Sequence, residues 1–400
     1  MNTRQVLKHG GYLMAMLFMG LFLWVFLVQT VSSTWEATFA RFHVPAATFP
    51  GWDARNIQMA AHCLKAGVDP LGAPECVGAG QLLKRLHPHG MVPSYNYPIW
   101  WAKAYAWFDD DSEAFFLRFW RMNALALAAA IGWLCWRHSL WLLPVLMLNP
   151  VTLLTLERGN VDGITFAVAL SGWMCLRCGH ALRLLGLMVA SVLKVYPLLG
   201  LIAMWGGLRG WRNHLVLLML LPALCVTLWE LPSYVAQTTQ GFPYSYGLRA
   251  LSLAPASSGW GSGVALAGAV TLMLIVAVGL PQIKAWRDGA RNGIESLDPD
   301  EAQRFFVFLL IYLGTFLLFV NWAYRLVFLY PVFISALCCR AWAIKAFGVL
   351  IGLMLWAPWF DLGWEAQTCL AYLATGLALA MLRVGVKGVF SSRPRRPAVE

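Results

Sequence analysis

The sequence predicts an integral membrane protein that is built entirely from α-helices. Of the 400 residues, 60% are hydrophobic and only 12% are charged, whereas about a quarter of the residues of a soluble domain are charged. The apolar residues fall into runs of about 20, which is the length of a helix that crosses a bilayer. The 21 tryptophans are typical of proteins that contact membrane interfaces.

Residues 11–31 form the first apolar run and predict a retained first span. A cleaved signal peptide would have a shorter apolar core followed by a small-residue cleavage site, and no such pattern follows Val31. Further spans are predicted by the same criterion. They cover 118–136, 139–156, 163–177, 214–231, 262–283, 304–320, 324–339, 341–358 and 367–383.

One apolar stretch, 182–208, is too long for one spanning helix and too short for two complete ones. The segment LKVYP interrupts it with Lys194 and Pro197. We predict two short helices hinged at Pro197, because proline removes a backbone hydrogen bond. Broken helices at membrane depth are tolerated only where protein or water covers them. With this pair, the sequence predicts twelve membrane helices.

The net charge of +11 lies mostly in short segments on one side of this topology, and the positive-inside rule assigns that side to the cytoplasm. We expect one polytopic domain over 1–385 with a periplasmic loop over 32–117, and a basic, disordered tail over 386–400. Both termini then face the cytoplasm of a bacterial cell. The charge reflects topology and contact with anionic membrane lipids, and no nucleic-acid partner is expected. The basic residues are Arg4, Lys8, Arg137, Arg177, Arg183, Arg209, Arg212, Arg340, Lys345, Arg393, Arg395, Arg396 and those of 284–304.

The remaining polar residues cluster on the predicted outer side. Ionisable groups near a membrane are costly and usually functional, so a site is expected at the outer face. The outer segments are 32–117, LERGN at 156–160, KVYP at 194–197, 232–261, VNWAYR at 320–325 and WFDLGWE at 359–365.

Residues 52–67 predict an amphipathic helix that lies on the membrane surface. Gly67 ends the pattern, and Asp53 occupies a natural N-cap position. From spacing alone, helix capping, which contributes about 1 kcal/mol, competes with a functional role for this carboxylate. The apolar stripe consists of Ile57, Ala60, Ala61 and Leu64.

Five segments in a fixed order carry a family resemblance. They are Asp53 with its helix, YNYP at 95–98, ERGNVDG at 157–163, LKVYP at 193–197 and NWAYRLVFLYP at 321–331. Over roughly residues 10–340, this order resembles the polytopic family-87 glycosyltransferases of the GT-C superfamily. Two positions depart from the family pattern. Ile99 replaces a second proline, and Asn160 replaces a glutamine.

The resemblance implies an enzyme that moves a hexose, with mannose as the family expectation, from a polyprenyl-phosphate carrier to a hydroxyl of a glycolipid or glycan. The reaction would take place at the outer face of the cytoplasmic membrane. Asp53 matches the family's acid and is the expected catalytic base, since a carboxylate can accept the proton of the acceptor hydroxyl. The leaving phosphate needs fixed cations. Lys194, Arg158 and Arg325 are the expected phosphate-binding residues.

Each of these cations also has a local explanation. Arg158 can pair with Glu157, and we favour this partner role for Glu157 over that of a second acid or an acceptor-binding group. Lys194 can extend to the lipid headgroups, and Arg325 can mark the end of a span. The residues expected to contact the sugar or the acceptor are Glu157, Asn160, Asp162, Tyr95, Tyr97, Asn321 and Tyr324. Solvated loop ends and interfacial aromatic belts are the competing explanations.

Two further patterns concern metals and disulfides. FDDDSE at 108–113 contains oxygen ligands for a divalent cation, but consecutive acids before a span usually form a solvated edge, so neither a metal nor another cofactor is expected. Cys63 and Cys76 lie on the oxidising side, where they form either a disulfide or two buried thiols.

Two other classes of protein compete with an enzyme. A transporter or lipid flippase of the cell envelope would also have about twelve helices with a broken pair, but internal repeats between 1–200 and 201–400 are not evident. A non-catalytic scaffold of an envelope polysaccharide complex would not need Asp53 together with Lys194. An outward cavity lined by both residues would favour sugar transfer, and a central two-sided cavity would favour transport.

We expect a reporter fused at Glu400 to be cytoplasmic and one inserted near Gly80 to be periplasmic, because the charge distribution places the termini inside and the loop 32–117 outside. Paired phosphatase and fluorescent-protein fusions at the two positions measure this. Any other pairing would put the candidate residues on opposite faces of the membrane.

Overall fold

The structure is a computed structural model, and it describes most of the chain between residues 51 and 389. The described residues are 39–40, 44, 51–71, 95, 97–108, 113–174, 179–204, 211–232, 245–246, 259–318, 321–360 and 364–389.

Most described residues belong to helices, which confirms the predicted all-α class. Two strands of two residues each, Ser245–Tyr246 (β1) and Asn321–Trp322 (β2), pair in a small sheet. The α-helices are α1 (Trp52–Lys65), α2 (Ile99–Trp107), α3 (Glu113–His138), α4 (Leu142–Met147), α5 (Pro150–Arg158), α6 (Asp162–Met174), α7 (His180–Leu193), α8 (Gly200–Met204), α9 (Trp211–Trp229), α10 (Gly259–Gly279), α11 (Lys284–Glu295), α12 (Pro299–Leu318), α13 (Tyr330–Cys338), α14 (Trp342–Trp356) and α15 (Trp364–Val389). Short 3-10 helices cover Tyr196–Leu199, Leu280–Gln282, Ala323–Leu329 and Ala357–Phe360.

The chain divides into two compact units, whereas a single domain was expected over 1–385. The first unit takes the described residues within Met1–Leu198, Gly210–Phe242 and Trp322–Val327, and the second takes the remainder. Helices α1 to α7 and α9 therefore belong to the first unit. Every predicted site residue except Asn321 lies in that unit as well.

Two helical segments of the described chain are long and apolar enough to cross a membrane, Trp342–Phe360 and Ala366–Gly385. A third span results if Ala267–Gln282 and Lys284–Glu295, which meet at a bend of 83°, are counted together. These segments support membrane association. The twelve-span topology remains a prediction, and its first span, 11–31, lies outside the described residues.

Large apolar side chains are exposed along other helices too. On α9, Leu218, Met219 and Trp229 are 68%, 70% and 87% exposed. On α10, Leu274 and Ile275 are also exposed. Soluble proteins rarely leave contiguous apolar surface of this kind in water. Lipid chains would cover these side chains, which is a second observation in favour of a membrane.

The predicted span 139–156 is broken in the structure into α4 and α5. Asn149 caps α5, because its side chain accepts a hydrogen bond from Val151 N (2.9 Å). Pro150 follows in the first turn, where its missing N–H would have had no helical partner. The Asn-Pro pair in the sequence is a signal for this break.

The predicted span 182–208 is broken as expected, but at a different residue. The break falls at Lys194, which is extended (φ −154°, ψ 134°), and not at Pro197. Pro197 lies early in the 3-10 helix Tyr196–Leu199. A proline in a first helical turn removes no hydrogen bond, so it does not interrupt the chain there.

Two predicted boundaries also differ. Residues 284–304 were expected to be a cytoplasmic loop, but they contain α11, whose Trp286, Ala290 and Ile294 are buried at a spacing of four residues. Such spacing places all three on one helical face. The last helix continues to Val389, beyond the predicted domain end at 385.

Helix α1 begins at Trp52, so its N-cap is Gly51 and the prediction that Asp53 caps it is wrong. Asp53 lies in the first turn, where a carboxylate faces the positive end of the helix dipole. The helix ends, as predicted, just before Gly67, which has φ 75°. Residues 54–61 are buried on all faces. Protein therefore encloses this part of α1, which does not lie on the membrane surface.

Two glycines allow the start of α1 to approach the end of α5. Gly51 N donates a hydrogen bond to Glu157 O (2.7 Å). Gly159 follows α5 with φ 60°, and a Cβ atom added to it would lie 2.9 Å from Gly51 Cα. A larger residue would force the two segments apart. This close approach brings Asp53 next to Asn160.

We expect Gly159→Ala to lower the free energy of unfolding by about 2–4 kcal/mol, from the left-handed conformation and the overpacking together. The new methyl group would lie 2.6 Å from Trp120 Cδ1, and that ring is held because its Nε1 donates to Leu156 O (2.8 Å). Gly67→Ala is the matched control, since Gly67 has φ 75° but no described heavy atom within 4 Å of an added Cβ. Gly67→Ala should lower the free energy of unfolding by only about 1 kcal/mol. Denaturant unfolding in detergent measures both, and equal losses would contradict the proposed close contact.

Candidate functional site

A fully buried carboxylate, that of Asp162, lies at the centre of the candidate site. Its Oδ2 is 3.5 Å from Arg325 Nε, and its Oδ1 is 3.6 Å from Lys194 Nζ. Oδ1 also accepts a hydrogen bond from the Tyr196 hydroxyl. We refer to these four residues as the Asp162 cluster, and to Lys194 and Arg325 as the cation pair. A buried carboxylate is costly without opposite charge, and the cation pair supplies it.

Lys194 reaches Asp162 because α7 stops one residue before it. Its backbone N closes the last turn of α7 by donating to Ala190 O (2.8 Å). Trp101 Nε1 of α2 donates to Leu193 O (3.0 Å), so the end of α7 is held from a second helix. The Lys194 side chain is only 6% exposed. It therefore points into the first unit and does not extend to lipid headgroups.

Aromatic rings also contact both cations. Lys194 Nζ is 4.1 Å from the centroid of the Tyr97 ring, and Arg325 Cζ is 5.5 Å from the centroid of the Tyr196 ring. Both distances lie within the limit of about 6 Å for cation–π contacts. The cation pair is therefore positioned by two rings as well as by the Asp162 carboxylate.

Asn160 joins Asp53 to the Asp162 cluster. Its Nδ2 donates to Asp53 Oδ2 (2.6 Å) and to the hydroxyl oxygen of Tyr97 (2.9 Å), so both amide protons are used. Its Oδ1 accepts a hydrogen bond from Asp162 N (3.0 Å). One buried side chain thus fixes the Asp53 carboxylate relative to Tyr97 and the start of α6. Because its donors are occupied, Asn160 positions Asp53 and does not offer an N–H to a sugar.

The turn that carries Asn160 and Asp162 is held by Asn123 of α3. Asn123 Nδ2 donates to Asn160 O (2.6 Å), and its Oδ1 accepts from Ile164 N (2.8 Å). Gly163 permits this approach, since a Cβ atom there would lie 2.8 Å from Asn123 Oδ1. The side chain of Asn123 therefore holds the backbone of this turn both before and after Asp162.

The formal charges of the four ionisable side chains in this network sum to zero. Asp53 and Asp162 carry two negative charges, and the cation pair carries two positive ones. Three of these side chains are buried, whereas Asp53 is partly exposed. Asp53 is therefore the acid that a molecule from outside the protein can reach.

Asn56 lies one helical turn after Asp53 on α1. Its side chain is buried, and its Oδ1 has no hydrogen-bond partner in the described part of the chain. Residues three apart lie on the same side of a helix, so Asn56 shares a side of α1 with Asp53. A ligand hydroxyl would satisfy Asn56 Oδ1, since a buried acceptor without a donor is costly.

The two tyrosines of YNYP have different surroundings. Tyr97 belongs to the network of Asn160, as described above. The Tyr95 hydroxyl donates to Pro98 O (2.8 Å) and accepts from Ala102 N (3.3 Å) at the start of α2. Burial raises the pKa of Tyr95 well above its ordinary value, so the hydroxyl stays protonated and remains a donor. The structure thus gives Tyr95 a role in stabilising α2, in place of the expected contact with sugar.

Glu157 and Arg158 form the expected ion pair, with 3.1 Å between Oε2 and Nε. The Glu157 carboxylate is fully buried, so Arg158 compensates its charge. The ion pairs of Asp162 come from Lys194 and Arg325. The structure therefore brings two of the three predicted cations together on one carboxylate.

Some predicted residues are described only in their backbones or not at all. Asn321 and Tyr324 have described backbones, in β2 and in the 3-10 helix Ala323–Leu329, but their side chains are not described. Residues 109–112 of FDDDSE lie outside the described structure. Cys63 is disulfide-bonded, and its partner lies outside the described residues. The predicted partner, Cys76, also lies outside them.

Sequence reasoning counted Asp162 among the possible sugar ligands and overlooked Tyr196, Asn123 and Asn56. Asp162 and Tyr196 both belong to motifs that the sequence had already marked, ERGNVDG and LKVYP. Their separation along the chain concealed that the Tyr196 hydroxyl bonds to the Asp162 carboxylate.

Comparison with known proteins provides no family assignment for this chain. No protein family, no curated protein and no solved structure matches it. The resemblance to the family-87 glycosyltransferases therefore depends on the sequence motifs alone.

Proposed function

We propose that this protein is a membrane glycosyltransferase that moves a hexose, with mannose as the expected sugar, from a polyprenyl-phosphate carrier to a hydroxyl of a glycolipid or glycan. One observation carries the proposal. A partly exposed acid, Asp53, is joined to a buried cation pair by a single turn of chain, 160–162. Transfer from a lipid phosphate needs both parts, a base for the acceptor and fixed positive charge for the leaving group.

The cation pair keeps the capacity to bind a phosphate while it contacts Asp162. Its distances to that carboxylate, 3.5 and 3.6 Å, exceed the about 2.7–2.9 Å of a charge-assisted hydrogen bond. Lys194 has three donors, and the Asp162 carboxylate does not occupy all of them. Phosphate oxygens can therefore bind without displacing Asp162.

In the proposed reaction, the acceptor oxygen forms a bond to the anomeric carbon of the sugar, and the bond from that carbon to the phosphate oxygen breaks. The acceptor proton passes to an Asp53 carboxylate oxygen, and the phosphate leaves with one additional negative charge. Lys194 and Arg325 stabilise this charge as it develops. Because Asp53 loses one negative charge in the same step, the total charge of the site and its substrates does not change.

Asn56 favours a sugar as the acceptor. Side chains three residues apart on a helix have Cβ atoms about 5–6 Å apart, so neighbouring hydroxyls of a sugar ring can reach both Asp53 and Asn56. One hydroxyl would give its proton to Asp53, and the next would donate a hydrogen bond to Asn56 Oδ1. The lone hydroxyl of a serine or threonine side chain would leave Asn56 without a donor.

We place this activity in the bacterial cytoplasmic membrane, with twelve helices of GT-C type, both termini in the cytoplasm and the site facing the periplasm. The apolar helices support the membrane location. The disulfide at Cys63 supports an oxidising compartment for α1, because disulfides persist mainly outside the cytosol.

A transporter or lipid flippase is the competing function, because a helix broken at a charged residue, as at Lys194, is also a feature of carriers. A carrier would bind a lipid phosphate without cleaving it. Release of the lipid phosphate from a sugar donor therefore separates the two functions.

We expect Lys194→Met to weaken the binding of farnesyl phosphate, a short analogue of the carrier, by at least about 10-fold, because one charged donor to the phosphate is lost. Titration calorimetry in detergent measures this affinity. Lys103→Met is the matched control, since Lys103 is an exposed lysine of α2 and its loss should leave the affinity unchanged. Equal affinities for all three proteins would contradict a phosphate-binding role for Lys194.

We expect Asp53→Asn to lower turnover by about 10²- to 10⁴-fold, because an amide cannot accept the acceptor proton. Its oxygen can still accept the hydrogen bond from Asn160, so folding and farnesyl phosphate binding should persist. Release of farnesyl phosphate from mannosyl farnesyl phosphate, with a bacterial glycolipid extract as acceptor, measures turnover. Asp69→Asn, at an exposed acid after α1, is the control. Near-normal turnover of Asp53→Asn would reject the base assignment, and wild-type binding without any release would favour a carrier.

A further inference from the structure

We propose that Asp162 is a resident counter-anion that limits the affinity of the cation pair for lipid phosphate and so promotes release of the phosphate product. This inference deepens the proposed function and rests on it. Asp162 exchanges no proton and forms no covalent bond in the reaction. Its effect is electrostatic, through the phosphate that shares its two cations.

Asp162 is fixed in place, so it remains in the site when a phosphate arrives. It is the first residue of α6, and its backbone N donates to Asn160 Oδ1 (3.0 Å). Its carboxylate accepts the Tyr196 hydroxyl, and the side chain is fully buried. Moving it away would break these contacts inside the protein. A phosphate bound to the cation pair therefore lies close to a negative charge.

The cation pair does not depend on Asp162 alone for its position. Lys194 lies against the face of Tyr97 at 4.1 Å, and Arg325 lies near the face of Tyr196 at 5.5 Å. The distances from both cations to Asp162 are longer than those of close charge-assisted hydrogen bonds. The rings therefore contribute to the position of both cations together with the carboxylate.

The charge of the ligand changes during the proposed reaction. The donor is a phosphodiester with one negative charge, whereas the product is a monoester with about 1.5 to 2 at pH 7, because the second pKa of a phosphate monoester is about 6. Repulsion from a fixed anion is proportional to the charge of the ligand. Asp162 therefore weakens product binding about twice as strongly, in free energy, as donor binding. Without Asp162, the cation pair would bind the phosphate product more tightly than the donor.

The test compares farnesyl phosphate, a monoester, with mannosyl farnesyl phosphate, a diester, on purified wild-type and Asp162→Asn protein at pH 7. Asparagine keeps the size of the side chain and can still accept the Tyr196 hydroxyl. We expect the variant to bind the monoester at least about 10-fold more tightly than the wild type does, with a smaller gain for the diester. Turnover should fall and show an initial burst of product, because release becomes rate-limiting.

If Asp162 instead organises the cations, its variant should bind both ligands more weakly, and that result would overturn the inference. Equal gains for the monoester and the diester would also overturn it, because the charge of the ligand would then not matter. Asp69→Asn removes an exposed acid and should change neither affinity, which controls for loss of a charge elsewhere.

A measurement on the wild type keeps the inference testable should Asp162→Asn fail to fold. With Asp162 present, farnesyl phosphate should bind no more tightly than the diester, and a 10-fold preference for the monoester would overturn the inference. That result would leave the proposed function intact, since both ligands bind. Wild-type protein that binds neither ligand would contradict the proposed function itself.

Discussion

The charge of the buried Asp162 carboxylate has to be balanced within the protein, because water cannot reach it. The balancing charges come from Lys194 and Arg325, in segments that are far apart in sequence. Neither residue lies in an α-helix. Lys194 is extended after α7, and Arg325 belongs to the 3-10 helix Ala323–Leu329. Two irregular segments therefore turn these two cations inward, towards a carboxylate in the first turn of α6.

Helix ends that meet inside a protein leave carbonyl groups in need of donors. Two tryptophans donate to carbonyls near such ends, Trp101 to Leu193 O (3.0 Å) and Trp120 to Leu156 O (2.8 Å), which also accepts from Gly159 N. Their indoles tie α2 to the end of α7 and α3 to the end of α5. Composition alone attributes the many tryptophans to the membrane interface, but these two connect the helices that hold the site. The bond at Leu193 O fixes the end of α7, which Lys194 follows directly.

The all-α class and most helix positions could be predicted from apolar runs, because such runs report burial directly. The exact breaks could not. Proline is the usual signal, yet the chain breaks at Lys194, and Pro197 is accommodated in a first turn. Side-chain roles were harder still. Tyr95 and Tyr97 are two residues apart, but one stabilises α2 and the other contacts the site. The direction in which a loop side chain points depends on contacts with distant segments, and no local spacing contains that information.

Two carboxylates in one network take different roles because their surroundings differ. Asp162 lies between two buried cations, Lys194 and Arg325, whose charges it balances inside the protein. Asp53 is partly exposed, and its described hydrogen-bond partner is the neutral amide of Asn160. In the proposed transfer, Asp53 is therefore the carboxylate that takes up the acceptor proton. The same proposal has the phosphate gain its additional negative charge beside the cation pair, so both changes would occur where the surrounding charges favour them.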